Sequence, residues 1–157
     1  MQKLKPDLLI SSGGALARYK ETYICREDFS EEETARMISA ARSVCGEECE
    51  ITVDTPEGHF WNYKQNTLKT DPSWSGSIYT DFRDFSHRSL KMCVEILDPE
   101  QVEQLKNLLP DCDCARFSDG EWYKFTKKTA TKEQAILTFC KASGISAEEI
   151  TAFGDDY

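Results

Sequence analysis

The chain has 157 residues, 39% of them hydrophobic and 11% aromatic, with a formal net charge of −9. That length fits one domain, or one and a part, and the aromatic content argues against disorder. The acidic balance disfavours nonspecific binding to nucleic acid or an anionic membrane, but leaves room for a small phosphorylated substrate held by local cations and a metal.

No apolar run approaches the roughly 20 residues needed to span a bilayer, and the Met1-Gln-Lys-Leu-Lys-Pro6 start is too polar for a secretory signal. The seven cysteines include no CxxC pair, and the two histidines, His59 and His87, lie in separate segments. Cys112 and Cys114 form the one tight pair, whereas a structural zinc site asks for two such pairs or nearby histidines. The expectation is free thiols in a reducing cytoplasm.

Taken in chain order, Leu8 to Ile10 reads as a buried strand running into a Ser11-Ser-Gly-Gly14 turn, and Arg18 to Phe29 as a half-exposed hairpin arm. Ser30 and Glu33 form a capping box for a helix in which Ala35, Ile38, Ala41 and Cys45 keep helical spacing and Gly46 supplies the stop. Cys49 to Asp54 is a strand of period two, Thr55 to Gly58 a turn, His59 to Tyr63 a second strand, and Lys64 to Ser77 a long polar loop. Leu90 to Leu97 is a strand, and Asp98-Pro99 opens a helix with Val102, Leu105 and Leu108 on one stripe, ending at Pro110. Strands from Cys112 to Phe117 and from Glu121 to Thr126 flank the Ser118-Asp-Gly120 turn. Thr131 and Gln134 box a helix bearing Ala135, Ile136, Phe139 and Cys140, closed by Gly144. Ser146 and Glu149 start one more helical turn before a strand from Ile150 to Phe153 that runs into Gly154-Asp-Asp156.

This order predicts an α+β middle, a mixed or antiparallel sheet backed by two helices. The two ends read as pieces of a parallel α/β sheet, because a buried strand after a helix is the crossover pattern. Two β-α-β-β stretches, Tyr23 to Tyr63 and Leu90 to Thr126, hint at an internal pseudo-repeat.

Three features could carry chemistry. Asp155 and Asp156 close an apolar strand, where carboxylates can grip a hard cation, although such a site needs more oxygen ligands than two. A solvated loop is the bland alternative. Lys132 opens a helix, a position that opposes the helix dipole and suits a lysine held toward an anion, or simply a surface lysine. Ser12, Gly13 and Gly14 follow a strand and can cradle a phosphate through backbone N–H groups, though without GxGxxG or P-loop spacing.

The run Trp122-Tyr-Lys-Phe-Thr, Ala130-Thr-Lys132-Glu-Gln-Ala-Ile and Gly144-Ile-Ser-Ala-Glu-Glu-Ile150-Thr-Ala-Phe-Gly-Asp-Asp156 resembles the C-terminal signature of the haloacid-dehalogenase (HAD) superfamily, Cof-type sugar-phosphatase branch. Ile10-Ser-Ser-Gly-Gly-Ala15 looks like that family's Asn-Gly-Ala strand end. The resemblance implies a HAD-like fold: a core remnant over 1–17, an inserted α+β cap over 18–126, and a second core remnant over 127–157. It implies Mg²⁺-dependent hydrolysis of small phosphate esters such as sugar phosphates through an aspartyl-phosphate, with Lys132 stabilising charge and Asp155 and Asp156 at the metal. Within the cap it directs attention to inward-facing groups: His59, Trp61, Asn62, Trp74 and the Tyr79 to Arg88 segment with Arg83, His87 and Arg88. The family's Asp-x-Asp-Gly-Thr nucleophile motif does not occur in these 157 residues. The expectation is therefore a truncated form, inactive by itself, with apolar strand edges open to pairing with a second copy. The alternative from another class is a non-catalytic α+β module that binds a metabolite or a protein.

Overall fold

The computed structural model describes residues 6–63, 76–118 and 120–151. These form two compact units, one drawn from 1–26 and 129–157 and the other from 27–128. The first unit takes in the hairpin arm up to Arg26, which pairs with the first strand. Residues 152–157, which hold most of the strand expected from Ile150 to Phe153 together with Asp155 and Asp156, the Lys64 to Ser75 part of the polar loop with Trp74, and Asp119 lie outside the described residues, and Ile150 and Thr151 are not in a strand.

In the first unit, β1 (Leu8–Ser11), β2 (Leu16–Tyr19) and β3 (Thr22–Arg26) form an antiparallel meander. The registers are Leu8 opposite Tyr19 and Ile10 opposite Ala17, then Ala17 opposite Cys25. Lys20 (φ 44°) and Glu21 (φ 67°) join β2 to β3, the two positive φ values of a type I′ turn, whose twist matches that of the flanking strands. Helix α3 (Lys132–Ser143) packs on the face bearing Tyr19, whose ring meets Phe139 edge-on at 5.1 Å. Leu9 points to the other face and is 45% exposed, so β1 is covered on one side only rather than buried on both as its apolar run suggested. Thr131 caps α3 by accepting from the Gln134 N–H at 3.1 Å, and Gly144 ends it in the left-handed region (φ 73°).

The second unit is a six-stranded sheet in the order β6-β5-β4-β7-β9-β8. Its strands are β4 (Ile51–Asp54), β5 (His59–Trp61), β6 (Ile78–Tyr79), β7 (Lys91–Glu95), β8 (Cys112–Arg116) and β9 (Trp122–Lys127). β5 and β6 run parallel and the other neighbours antiparallel. Helix α1 (Glu31–Cys45) leads into the β4–β5 hairpin and α2 (Pro99–Leu108) into the β8–β9 hairpin, with β7 between the two. The repeated element is therefore α-β-β.

Alternation along the strands divides the sheet cleanly. Ile51, Val53, Phe60, Met92, Val94 and Phe125 point to one face and form the core with Met37, Ile38 and Ala41 of α1 and Val102 and Leu105 of α2. The capping box closes as expected, with the Ser30 N–H donating to Glu33 Oε2 at 2.6 Å and the Glu33 N–H to Ser30 Oγ at 3.1 Å. Two helix readings shift. Ala35 is exposed, and the buried stripe of α1 is Thr34, Met37, Ile38 and Ala41. Leu108 is 51% exposed while Leu109, the residue that ends α2, is 1% exposed. The Thr34 hydroxyl, placed among apolar groups, donates to or accepts from Ser89 Oγ at 2.8 Å, which meets the requirement that buried polar groups be paired.

Candidate functional site

In the first unit the chain leaves β1 through a tight turn in which Ser12, Gly13 and Gly14 all have positive φ (50°, 73° and 109°). The turn lies directly against the start of α3. A Cβ built on Gly14 would sit 2.5 Å from both the Thr131 carbonyl oxygen and the Lys132 nitrogen, so only glycine fits. Ala130 and Ala135, both buried, allow that close approach from the helix side. The sequence-derived candidates Ser12, Gly13, Gly14 and Lys132 are thus brought together. The first N–H groups of a helix favour negative charge; this 12-residue helix has Lys132 and the acidic Glu133 in its first turn. Lys132 is solvent-exposed and available to an anion.

The metal expectation rests on Asp155 and Asp156, outside the described residues. Among the described residues, no group of three or more His, Cys, Asp and Glu side chains could hold an ion.

In the second unit, the sheet face opposite the helices carries a cleft of about 570 Å³. The register builds it. Asp54 stands opposite His59 on one side and Lys91 on the other, and Thr52 stands opposite Trp61 and Cys93. Trp122, opposite Glu95, and Phe117 complete the wall. Asp54 Oδ1 lies 2.5 Å from His59 Nδ1, and Oδ2 accepts from Lys91 Nζ at 2.8 Å. Burial pushes the Asp54 carboxyl upward, but the His59 hydrogen bond and the Lys91 charge outweigh it and hold Asp54 below the ordinary carboxylate value. Burial likewise pushes Lys91 down, yet Cys93 and Asp54 leave it raised and charged.

Because the folded pKa of Asp54 is depressed, its stabilisation is full above the unfolded value of about 4 and is lost as pH falls through the folded value. The wild type is expected to lose stability in that acid range. Asp54→Asn should be less stable by about 1–3 kcal/mol at neutral pH, with a flatter acid dependence. Urea unfolding at several pH values checks both.

The other cap candidates divide. His59 and Trp61 line the cleft. The Asn62 amide accepts from the Ile51 N–H and donates to the Cys49 carbonyl, each at 2.8 Å, and so holds the end of β5 to β4. His87 stacks obliquely on Phe60 and Phe85. Arg88 is not directed into the cleft: it donates to both oxygens of the nearly buried Asp28, at 3.1 and 2.8 Å. Arg83 is 82% exposed and lies 3.7 Å from Asp81, lining a separate groove with Arg42 and Phe85. Sequence reasoning passed over Asp54, Lys91 and Trp122. Their signal was the polar phase of period-two strands, Thr52 and Asp54 alternating with Ile51 and Val53.

A six-stranded α+β sheet unit inserted between two segments that pack together defines the architecture. The whole sequence, residues 1–157, matches the family model of haloacid dehalogenase-like hydrolases, and the chain belongs to that family. This bears out the resemblance read from the C-terminal run. Similar solved structures include a haloacid dehalogenase-like hydrolase from B. subtilis (TM-score 0.70, 16% identity, 90% of this chain and 60% of that one covered). Another is a haloacid dehalogenase-like hydrolase from Bacteroides thetaiotaomicron (0.70, 14%, 94% and 58%). A third is a HAD subclass IIB sugar phosphatase (0.69, 18%, 91% and 55%). At these identities the likeness establishes the fold. The chain spans 55% to 60% of the length of these three neighbours. No match was found among curated protein sequences.

Proposed function

We propose that the chain forms part of a Mg²⁺-dependent phosphohydrolase acting on small phosphorylated metabolites such as sugar phosphates. In this reading Lys132 and the Ser12–Gly14 turn grip the phosphoryl group. The observation that carries it is the close packing of the Gly14 backbone on the Thr131–Lys132 peptide, which brings the turn and the first residues of α3 together. Phosphoryl transfer depends mainly on positioning and charge neutralisation, and these are the tasks such groups perform. Asp155 and Asp156 would hold the Mg²⁺, which adds charge neutralisation when bound. The aspartate nucleophile of the family's reaction is not offered by an Asp-x-Asp-Gly-Thr motif within these residues, so the 157 residues alone are expected to bind phosphate without turning over an ester. A cytoplasmic setting accords with seven free thiols; no helix among the described residues is long and apolar enough to cross a membrane. Pairing with a second copy through strand edges is part of the same proposal.

The non-catalytic reading, a binding module, draws support from the cleft, whose lining comes wholly from unit 27–128. Binding of inorganic phosphate, followed by ³¹P NMR line width in wild type and Lys132→Ala, separates the two. Lys132→Ala should bind about tenfold more weakly with an unchanged circular dichroism spectrum. Equal binding by both proteins would remove the phosphohydrolase reading.

A further inference from the structure

At the polar end of the cleft in unit 27–128 the Asp54 carboxylate is already occupied and the Lys91 ammonium has donors to spare. Each Asp54 oxygen is already engaged, one by His59 at 2.5 Å and one by Lys91 at 2.8 Å. A site for a neutral polyol commonly presents free carboxylate oxygens to hydroxyl donors, and among the described residues lining the cleft the one carboxylate, Asp54, is taken. An ammonium carries three donors, so Lys91 can hold Asp54 and still donate to a ligand. The carboxylate fixes the direction of the lysine and removes the freedom it would otherwise lose on binding. Beside this charged end stand Trp61 and Trp122, with ring centroids 6.3 Å apart at 78°, and Phe117. Aromatic faces of this kind cover a flat or hydrocarbon body and strengthen a neighbouring ionic contact by excluding water.

We infer that this cleft binds a small organic anion, its carboxylate or phosphoryl group held by Lys91 and its body lying against Trp61 and Trp122. The inference concerns unit 27–128 alone and does not rest on the phosphohydrolase reading, since it can be measured without turnover and with Lys132 removed.

The test follows the indole N–H signals of Trp61 and Trp122 by NMR while the full chain is titrated with benzoate, inorganic phosphate or glucose. Benzoate is expected to shift both signals saturably, in Lys132→Ala as in wild type, and glucose to leave them in place. Lys91→Met should weaken benzoate binding at least tenfold. A parallel loss for phosphate at these two signals would assign a phosphoryl group to the site, and a loss for benzoate alone a carboxylate. Should Lys91→Met not fold, Trp122→Ala, which leaves the Asp54 contacts in place, should weaken benzoate several-fold. Glucose shifting the signals as benzoate does, or folded Lys91→Met or Trp122→Ala binding benzoate as wild type does, would overturn the inference.

Discussion

Gly14→Ala is expected to destabilise the first unit by about 3 kcal/mol or more, combining overpacking against backbone with a disfavoured positive φ. The obstructing atoms are the Thr131 carbonyl oxygen and the Lys132 nitrogen, each 2.5 Å from the new methyl group, and neither is the free end of a flexible side chain. The turn and the helix start must separate, which removes the arrangement on which phosphate binding is proposed to depend. Hydrogen exchange should show lost protection in β1, β2 and α3, with β4, β7 and β9 retaining theirs. Gly46 supplies the control. Its φ is 97°, but a Cβ there meets nothing within 4 Å, so Gly46→Ala reports the conformational cost without the collision and should be the milder change. Equal effects at the two glycines would show that close packing contributes nothing.

The second large effect is expected at Phe125. Its ring is fully buried on β9, between β7 and β8, at the centre of the helix-covered face. Truncation to alanine should cost about 3–5 kcal/mol, the sum of lost burial and a cavity that a sheet bonded on both sides cannot collapse. Denaturant unfolding of the variant, with strand-by-strand exchange protection, should show the loss in unit 27–128. The helix that packs there gives a sharper comparison. Leu109→Ala should cost about 2–5 kcal/mol, whereas Leu108→Ala, at a half-exposed position, should cost a fraction of that. Reversed magnitudes would place the wrong leucine in the core.

That pair of leucines shows what the sequence could convey. Helical periodicity located Val102 and Leu105 correctly because both lie inside regular turns. It failed at Leu108 because α2 ends there, and Leu109, with φ −121° and ψ 60°, leaves the helix path and turns inward. Caps were legible for the opposite reason: Ser30 with Glu33 and Ser146 with Glu149 are contacts within four residues, governed by local chemistry. The candidate sites were legible in parts. Lys132 and Gly14 each stood out, but their contact depends on the packing of α3 beside the β1 turn, which no local pattern encodes. The cleft was less visible still. Asp54, His59 and Lys91 meet only because β4 pairs with β5 on one edge and β7 on the other, and a one-residue slip of any of these strands would send its member of the trio to the opposite face. Arg88 drew attention as a cap group that the family resemblance pointed to, whereas the Asp28 that engages it comes from before α1.

In the proposed function the Ser12–Gly14 turn and Lys132 together form a phosphate-binding site. Backbone amide shifts during titration with inorganic phosphate report on it residue by residue. Saturable shifts are expected at Ser12, Gly13, Gly14, Lys132 and Glu133, and their loss in Lys132→Ala. An absence of shifts at the turn, or shifts there that persist unchanged in Lys132→Ala, would contradict it.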